Sequence, residues 1–177
     1  GSLVCRPGDG IGCYYRSRPL MLSQGLTAEE SFASSLALTG SMTEGRDIGV
    51  VGNLPARGAA TVLPTAGDVG SQYTPAVGWA EAILYYHRVL GDERFASSVA
   101  VVQGGEGSVA SNGFWSALTI ATTIGLPLLF FIEDNGYAIS VPSYKQTPGG
   151  NIAQNLQSFS NLWVFEADGT DPDGSSN

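Results

Sequence analysis

The sequence predicts an α/β fold built on an open, mainly parallel sheet with flanking helices, and three observations carry that prediction. Two short apolar runs, Ser98 to Gln103 and Pro127 to Ile132, bracket a stretch from Asn112 to Ile124 whose apolar residues recur at helical spacing. Strand, helix and strand in that order form a βαβ unit, which implies parallel strands joined by a right-handed crossover. A third apolar run, Leu162 to Glu166, reads as a further strand.

Along the chain, the first firm element is a helix after Thr27. Thr27-Ala28-Glu29-Glu30 is a capping box, with a hydroxyl at the N-cap and a carboxylate three residues on. Phe32, Leu36 and Leu38 follow, and Gly40 is the expected end. Residues 41–73 are glycine-rich and lack a sustained period, yet Val50, Val51, Leu54, Val62 and Leu63 are too apolar for a solvated linker. A long loop close to a ligand is the expectation there. A second helix is expected from Thr74-Pro75, an N-cap followed by the proline that a first helical position accepts, to Gly91. Gly104 to Gly107 reads as a turn after the first strand. In the next helix Phe114, Leu118, Ala121 and Thr122 share one face, and Gly125 closes it. The second strand ends at Glu133-Asp134-Asn135-Gly136 and the third at Ala167 to Asp171.

The 177 residues suit one domain, and 43% apolar content supplies a core. Only 14% of residues are charged and 24 are glycine, which predicts surface covered by partners and glycine loops near a ligand. Eight Lys plus Arg stand against sixteen Asp plus Glu, a net charge of −8, and Lys145 is the sole lysine. That balance excludes nucleic acid and polybasic membrane attachment, because counterion release needs clustered cations. No stretch approaches the roughly 20 apolar residues that span a bilayer. Cys5 and Cys13 have neither a disulfide framework nor zinc spacing, and the N-terminus lacks a signal-peptide layout, so a reducing intracellular compartment is expected.

Residues just past the C-termini of parallel strands gather along one sheet edge, where open α/β folds bind ligands. Glu106 and Asn135 both belong there. A carboxylate and a carboxamide oxygen are hard donors suited to Mg²⁺ or Ca²⁺, and Mg²⁺ commonly completes its octahedron with water and substrate phosphates. Gly105, Gly107 and Ser108 lead toward a helix N-terminus, whose free N–H groups favour an anion.

These residues resemble a known family. Gly105-Glu106-Gly107, an intervening helix and strand, then Glu133-Asp134-Asn135-Gly136-Tyr137-Ala138-Ile139-Ser140 closely resemble the thiamin diphosphate motif, usually GDG followed by NN. The version here is similar to the alpha subunit of the decarboxylating component of 2-oxo acid dehydrogenase complexes. Glutamate at position 106 resembles the branched-chain members, and Asn135 to Pro142 resembles their NNGYAISTP. Tyr14-Tyr15-Arg16 looks like the family's YR element, Gly45-Arg46 the start of its GRQMP loop, Ser71-Gln72 with Pro75 to Gly78 its TQ…AVG stretch, and Asp168 to Asp171 its DGND. The likeness runs from about Tyr14 to Asp171.

The resemblance implies a thiamin diphosphate-binding fold and, as cofactors, thiamin diphosphate and Mg²⁺. It makes Glu106 and Asn135 side-chain metal ligands, with the Tyr137 carbonyl a third. Tyr15 and Arg16 would hold the diphosphate, with Gly105, Gly107 and Ser108 beside it; the backbone near Val69 would face the aminopyrimidine, and Ile139 would be a further cofactor-binding residue. The implied activity is oxidative decarboxylation of a 2-oxo acid, with acyl transfer to a lipoyl-bearing acyltransferase core. The implied partner is a beta-type subunit in a heterotetramer, in bacterial cytoplasm or the mitochondrial matrix.

Departures accompany the likeness. Asp134 stands where the family usually has the first Asn, and Gly45 to Gly52 lacks the histidine of the GRQMP loop. The family's later H-S-x-S-D segment is absent, because the sequence stops at Asn177; Asp168 to Asp171 reads as the approach to a helix that does not follow. A fold incomplete at its C-terminus is therefore expected, the chain being a segment of a longer subunit. His87 reads as a structural helix residue, and no catalytic residue is assigned. The alternatives are a noncatalytic scaffold subunit, a transketolase-like thiamin enzyme, and a Mg²⁺-dependent phosphate-binding protein unrelated to thiamin.

Overall fold

The computed structural model describes residues 4–46, 54, 56–57 and 59–171. In chain order its elements are β1 (Gly10–Gly12), α1 (Arg18–Ser23), α2 (Ala28–Ser35), β2 (Thr61–Val62), α3 (Tyr73–Leu84), β3 (Ala100–Gly105), α4 (Asn112–Ile124), β4 (Leu128–Glu133), β5 (Tyr137–Ala138), β6 (Val141–Pro142) and α5 (Ile152–Leu156). The first four strands form one parallel sheet in the order β2-β1-β3-β4. The predicted fold class is what the chain adopts.

Register fixes which residues face which layer. Gly10 and Gly12 lie level with Ala100 and Val102, and Ala100 and Val102 with Leu128 and Phe130. Side chains alternate along a strand, so this face carries the larger core. There Tyr73, Ala76, Val77, Val102, Phe114, Ala117 and Leu118 are buried, with Leu128, Phe130 and Ile132 packed against them. The opposite face carries Ile11 and Val62 and is closed over β1 and β2 by Met21, Leu26, Leu54 and Ala60.

The helix α4 forms over the predicted residues. The Ser111 hydroxyl accepts the Phe114 N–H at 3.3 Å, Gly125 closes the helix with φ 66°, and the predicted face is buried. The capping box at Thr27 is also present. Its glutamate is further held by Arg57, at 2.6 Å, which with the Thr27 backbone lowers the Glu30 carboxyl to about 2.

Several expectations need correction. The helix after Thr27 ends at Ser35 rather than near Gly40, and it turns Ser31 and Ser34 inward while Phe32, Leu36 and Leu38 stay exposed. Its weak amphipathicity gives the apolar residues no continuous stripe to bury. The second helix starts two residues early, with Gln72 rather than Thr74 as N-cap; Pro75 still falls in the first turn, where no N–H is missed. The helix continues past Leu84 through a π-helical turn, Tyr85–Val89, holding His87.

Gly104 and Gly105 belong to β3 rather than to a turn, and β3 and β4 each run slightly later than expected. Residues 162–166 are not a strand. Leu162 and Val164 pack against the core while Trp163 and Phe165 are 86% and 88% exposed, so the alternation reports half-burial without a hydrogen-bonded ladder. The 41–73 segment contains β2 as well as turns, and Leu54, Val62 and Leu63 are buried. Val50 and Val51, with the rest of 47–53 and with 172–177, lie outside the described residues.

β1 was not foreseen, because two of its three residues are glycine. They are there for packing: a Cβ at Gly10 would overlap the Trp79 indole, which is pinned by its Nε1 donating to the Gly8 carbonyl at 3.0 Å. Gly10→Ala is expected to destabilise the fold by roughly 1–3 kcal/mol through overpacking. The urea midpoint measures it, and an unchanged midpoint would contradict the close seat of Trp79.

Candidate diphosphate and metal site

Because all four strands run the same way, their C-terminal ends open on one edge. Tyr14 to Ser17 leave β1 there, residues 63–72 leave β2, Glu106 to Ser108 leave β3, and Asp134 to Tyr137 leave β4. The last paired position of β3 and β4 is Gly105 with Glu133, so Glu106 and the Asp134-Asn135 turn depart from adjacent strands. Every predicted site residue lies on this edge.

Glu106 opens a 3-10 turn, Glu106–Ala110, and is 3% exposed. Its Oε1 is buried with no hydrogen-bond partner. A carboxylate oxygen out of water and without a donor is costly unless a water, a donor or a cation meets it. Among the described residues no group of three His, Cys, Asp or Glu could hold a metal. A hard cation here would therefore draw on amide and carbonyl oxygens, water and phosphate beside the one buried carboxylate, a donor set that fits Mg²⁺.

The Asp134-Asn135 loop is shaped by two successive side-chain turns. Asp134 Oδ1 accepts the Gly136 N–H at 2.9 Å and Asn135 Oδ1 accepts the Tyr137 N–H at 3.0 Å. Asp134 thus builds this turn through its own carboxylate, and the Asn135 oxygen keeps a second lone pair. The hairpin β5-β6 that follows is seated directly on the 3-10 turn, since a Cβ at Gly107 would overlap Ala138. That glycine lets the Tyr137–Ala138 strand come close to the turn. At the hairpin tip Ile139 is fully exposed with φ 57°, a left-handed conformation that β-branched residues avoid.

The phosphate seat differs from the sequence expectation in two respects. The 3-10 turn separates Gly107 and Ser108 from α4, and the N-terminus of α4 is occupied by its own Ser111 cap and by the Gly70 carbonyl against Gly113. The Ser108 hydroxyl faces inward, donating to the Gly105 carbonyl at 2.6 Å and meeting the Tyr73 hydroxyl at 2.5 Å. What this turn offers a ligand is backbone N–H. Burial, partly offset by the Ser108 bond, pushes the Tyr73 hydroxyl up to about 12, so it stays protonated. Val69, exposed, precedes Gly70 in the turn that packs on Ser111, beside the same opening.

Tyr15 is 51% exposed, and the Arg16 guanidinium lies over its ring at 5.1 Å. Tyr15 first, then Tyr14 and Glu133, hold Arg16 firmly cationic. The turn bearing them is bonded to the sheet at two points. Tyr14, 6% exposed, donates its hydroxyl to Glu133 Oε2 at 2.8 Å, and Ser17 Oγ accepts the Tyr14 N–H while donating to Gln103 Oε1 at 2.6 Å. Gln72 completes the belt by donating to the Gln103 carbonyl at 3.0 Å. Sequence reasoning gave no role to Tyr14, Ser17, Gln72, Tyr73, Gln103 or Glu133, although Tyr14, Gln72 and Glu133 lie within the motifs it quoted. The one available signal was a polar residue closing an otherwise apolar run, as Gln103 and Glu133 do.

A family model described as the dehydrogenase E1 component matches residues 3–173. A Caenorhabditis elegans protein named the alpha subunit of mitochondrial 2-oxoisovalerate dehydrogenase is 27% identical over 93% of this chain and 36% of its own length. A Staphylococcus aureus protein named the alpha subunit of the pyruvate dehydrogenase E1 component is 33% identical over 49% of this chain and 21% of its own length. This chain thus spans about a third or less of these relatives. An X-ray structure titled as that of "a putative thiamin diphosphate-dependent enzyme isolated from Mycobacterium smegmatis" overlaps 89% of this chain and 24% of its own, at 20% identity and a TM-score of 0.45.

The Tyr73–Ser108 bond is buried, so Tyr73→Phe should cost about 1 kcal/mol in stability while keeping the ring packing. Urea denaturation measures the loss, and parent-like stability would contradict the bond as the anchor of the Glu106 turn.

Proposed function

The chain belongs to the dehydrogenase E1 component family, and from that premise we propose that it is an alpha-type subunit, or a segment of one, of a thiamin diphosphate-dependent 2-oxo acid dehydrogenase. Its task in that reading is to bind the Mg²⁺-diphosphate end of the cofactor. The single observation that carries the reading is the buried, unpartnered Glu106 oxygen at the sheet edge where Arg16, Gly107 and Asn135 also lie.

Glu106 and Asn135 would hold Mg²⁺ by their side chains and Tyr137 by its carbonyl. Tyr15 and Arg16 would take the diphosphate, the guanidinium offering paired donors to its oxygens. Gly105, Gly107 and Ser108 would contribute backbone, with the glycines permitting close approach. Val69 and Ile139 would contact the rings; the strained backbone of an exposed isoleucine is the kind of feature that clusters at ligand clamps. The bound cofactor supplies the electron sink for decarboxylating a 2-oxo acid. This chain's residues bind, neutralise and orient it.

The remaining parts follow the same premise. A beta-type partner would complete the site in a heterotetramer, and a lipoyl-bearing acyltransferase core would receive the acyl group. Glu106 and the broad alignment with the 2-oxoisovalerate relative favour a branched-chain 2-oxo acid. The compartment would be mitochondrial matrix or bacterial cytoplasm; no helix among the described residues is long and apolar enough to cross a membrane.

Glu106→Ala should abolish Mg²⁺-dependent binding of thiamin diphosphate while leaving thermal stability at or above that of the parent, because a buried unpaired carboxylate is removed. Calorimetric titration with and without Mg²⁺, beside a thermal melt, measures both. Parent-like affinity would end the metal assignment.

A further inference from the structure

The Tyr14–Glu133 hydrogen bond joins two arms of the site that the sheet itself does not join. β1 and β4 are not neighbours, since β3 runs between them, yet Tyr14 at the end of β1 reaches the last residue of β4 at 2.8 Å. One arm continues into Tyr15 and Arg16, the other into Asp134 and Asn135. Glu133 lies within electrostatic reach of Arg16, yet the ion pairs among the described residues are Arg57 with Glu30 and Arg94 with Asp92.

We propose that Tyr14 is a positioning residue, whose hydroxyl engages the Glu133 carboxylate and so keeps Arg16 available for an anionic ligand instead of letting Glu133 capture it. Three observations support it. Tyr14 is anchored by burial and by the Ser17 turn, so its hydroxyl has a fixed aim. Glu133 is exposed, on a strand at the end of the sheet, and the hydrogen bond shown for its carboxylate is the one from Tyr14. Arg16 is exposed on a long side chain that could swing from the Tyr15 ring to a carboxylate. A charge-assisted bond from Tyr14 to Glu133 Oε2 anchors the carboxylate and competes with that pair. A guanidinium that rests against Tyr15 and is held by no carboxylate among the described residues is then presented in advance to a diphosphate, which avoids breaking an ion pair on binding.

This inference rests on the diphosphate reading of Arg16, and the test separates the two. Mg²⁺-thiamin diphosphate is titrated calorimetrically into the purified protein and its variants, each checked by thermal melting. Tyr14→Phe keeps the buried ring and is expected to weaken binding about tenfold, the scale of one competing charge-assisted contact. Adding Glu133→Gln removes the competing carboxylate and should return affinity to within about twofold of the parent, a non-additive rescue that a merely structural role for Tyr14 would not give. Parent-like affinity in Tyr14→Phe, or a double variant as weak as the single one, overturns the proposal. Arg16→Ala is the control. If it binds like the parent, the diphosphate reading itself fails; if it weakens binding while Tyr14→Phe does not, only the role of Tyr14 fails. A parent protein that binds nothing overturns both.

Discussion

A carboxylate taken out of water without a donor for one of its oxygens costs several kcal/mol unless a positive charge compensates it, and the Glu106 turn is built around that condition. The Tyr73 and Ser108 hydroxyls lock the turn from beneath, while the β5-β6 hairpin presses on Gly107 from above. The surrounding structure holds Glu106 in place without satisfying it. In the proposed reading, stability is given up locally there for a ligand, as pre-organised sites do.

Around that point, parallel polarity does the gathering. Four strands that share a direction deliver four connections to one edge. Three of them contribute complementary chemistry: a cation from the β1 arm, a carboxylate from the β3 turn, and an amide oxygen from the β4 loop. The belt of Gln72, Gln103, Ser17, Tyr14 and Glu133 fixes these connections to one another across the sheet. Their separation is therefore set by bonded polar groups rather than by loop flexibility.

Much of this was legible in the sequence, and the limits have physical causes. The βαβ unit from β3 to β4 was readable because α4 has a clean apolar face, a serine cap and a terminal glycine, all local features. β1 was not, since Gly10 and Gly12 are selected by the approach of α3, which no local pattern announces. The 162–166 run misled because alternation marks half-burial, and a hydrogen-bonded neighbour is a separate condition. The candidate ligands were readable as residue types at strand ends, whereas Tyr14 and Glu133, 119 positions apart in sequence, meet only in the fold. Ser108 looked like a phosphate donor in sequence, but its hydroxyl is used inside the turn.

The most direct test of the central claim is anomalous diffraction from crystals of the protein grown with thiamin diphosphate and Mn²⁺ in place of Mg²⁺. A single manganese peak within bonding distance of the Glu106 carboxylate, the Asn135 carboxamide oxygen and the Tyr137 carbonyl is the predicted result. A manganese peak elsewhere, with Glu106 still unpartnered, would contradict it.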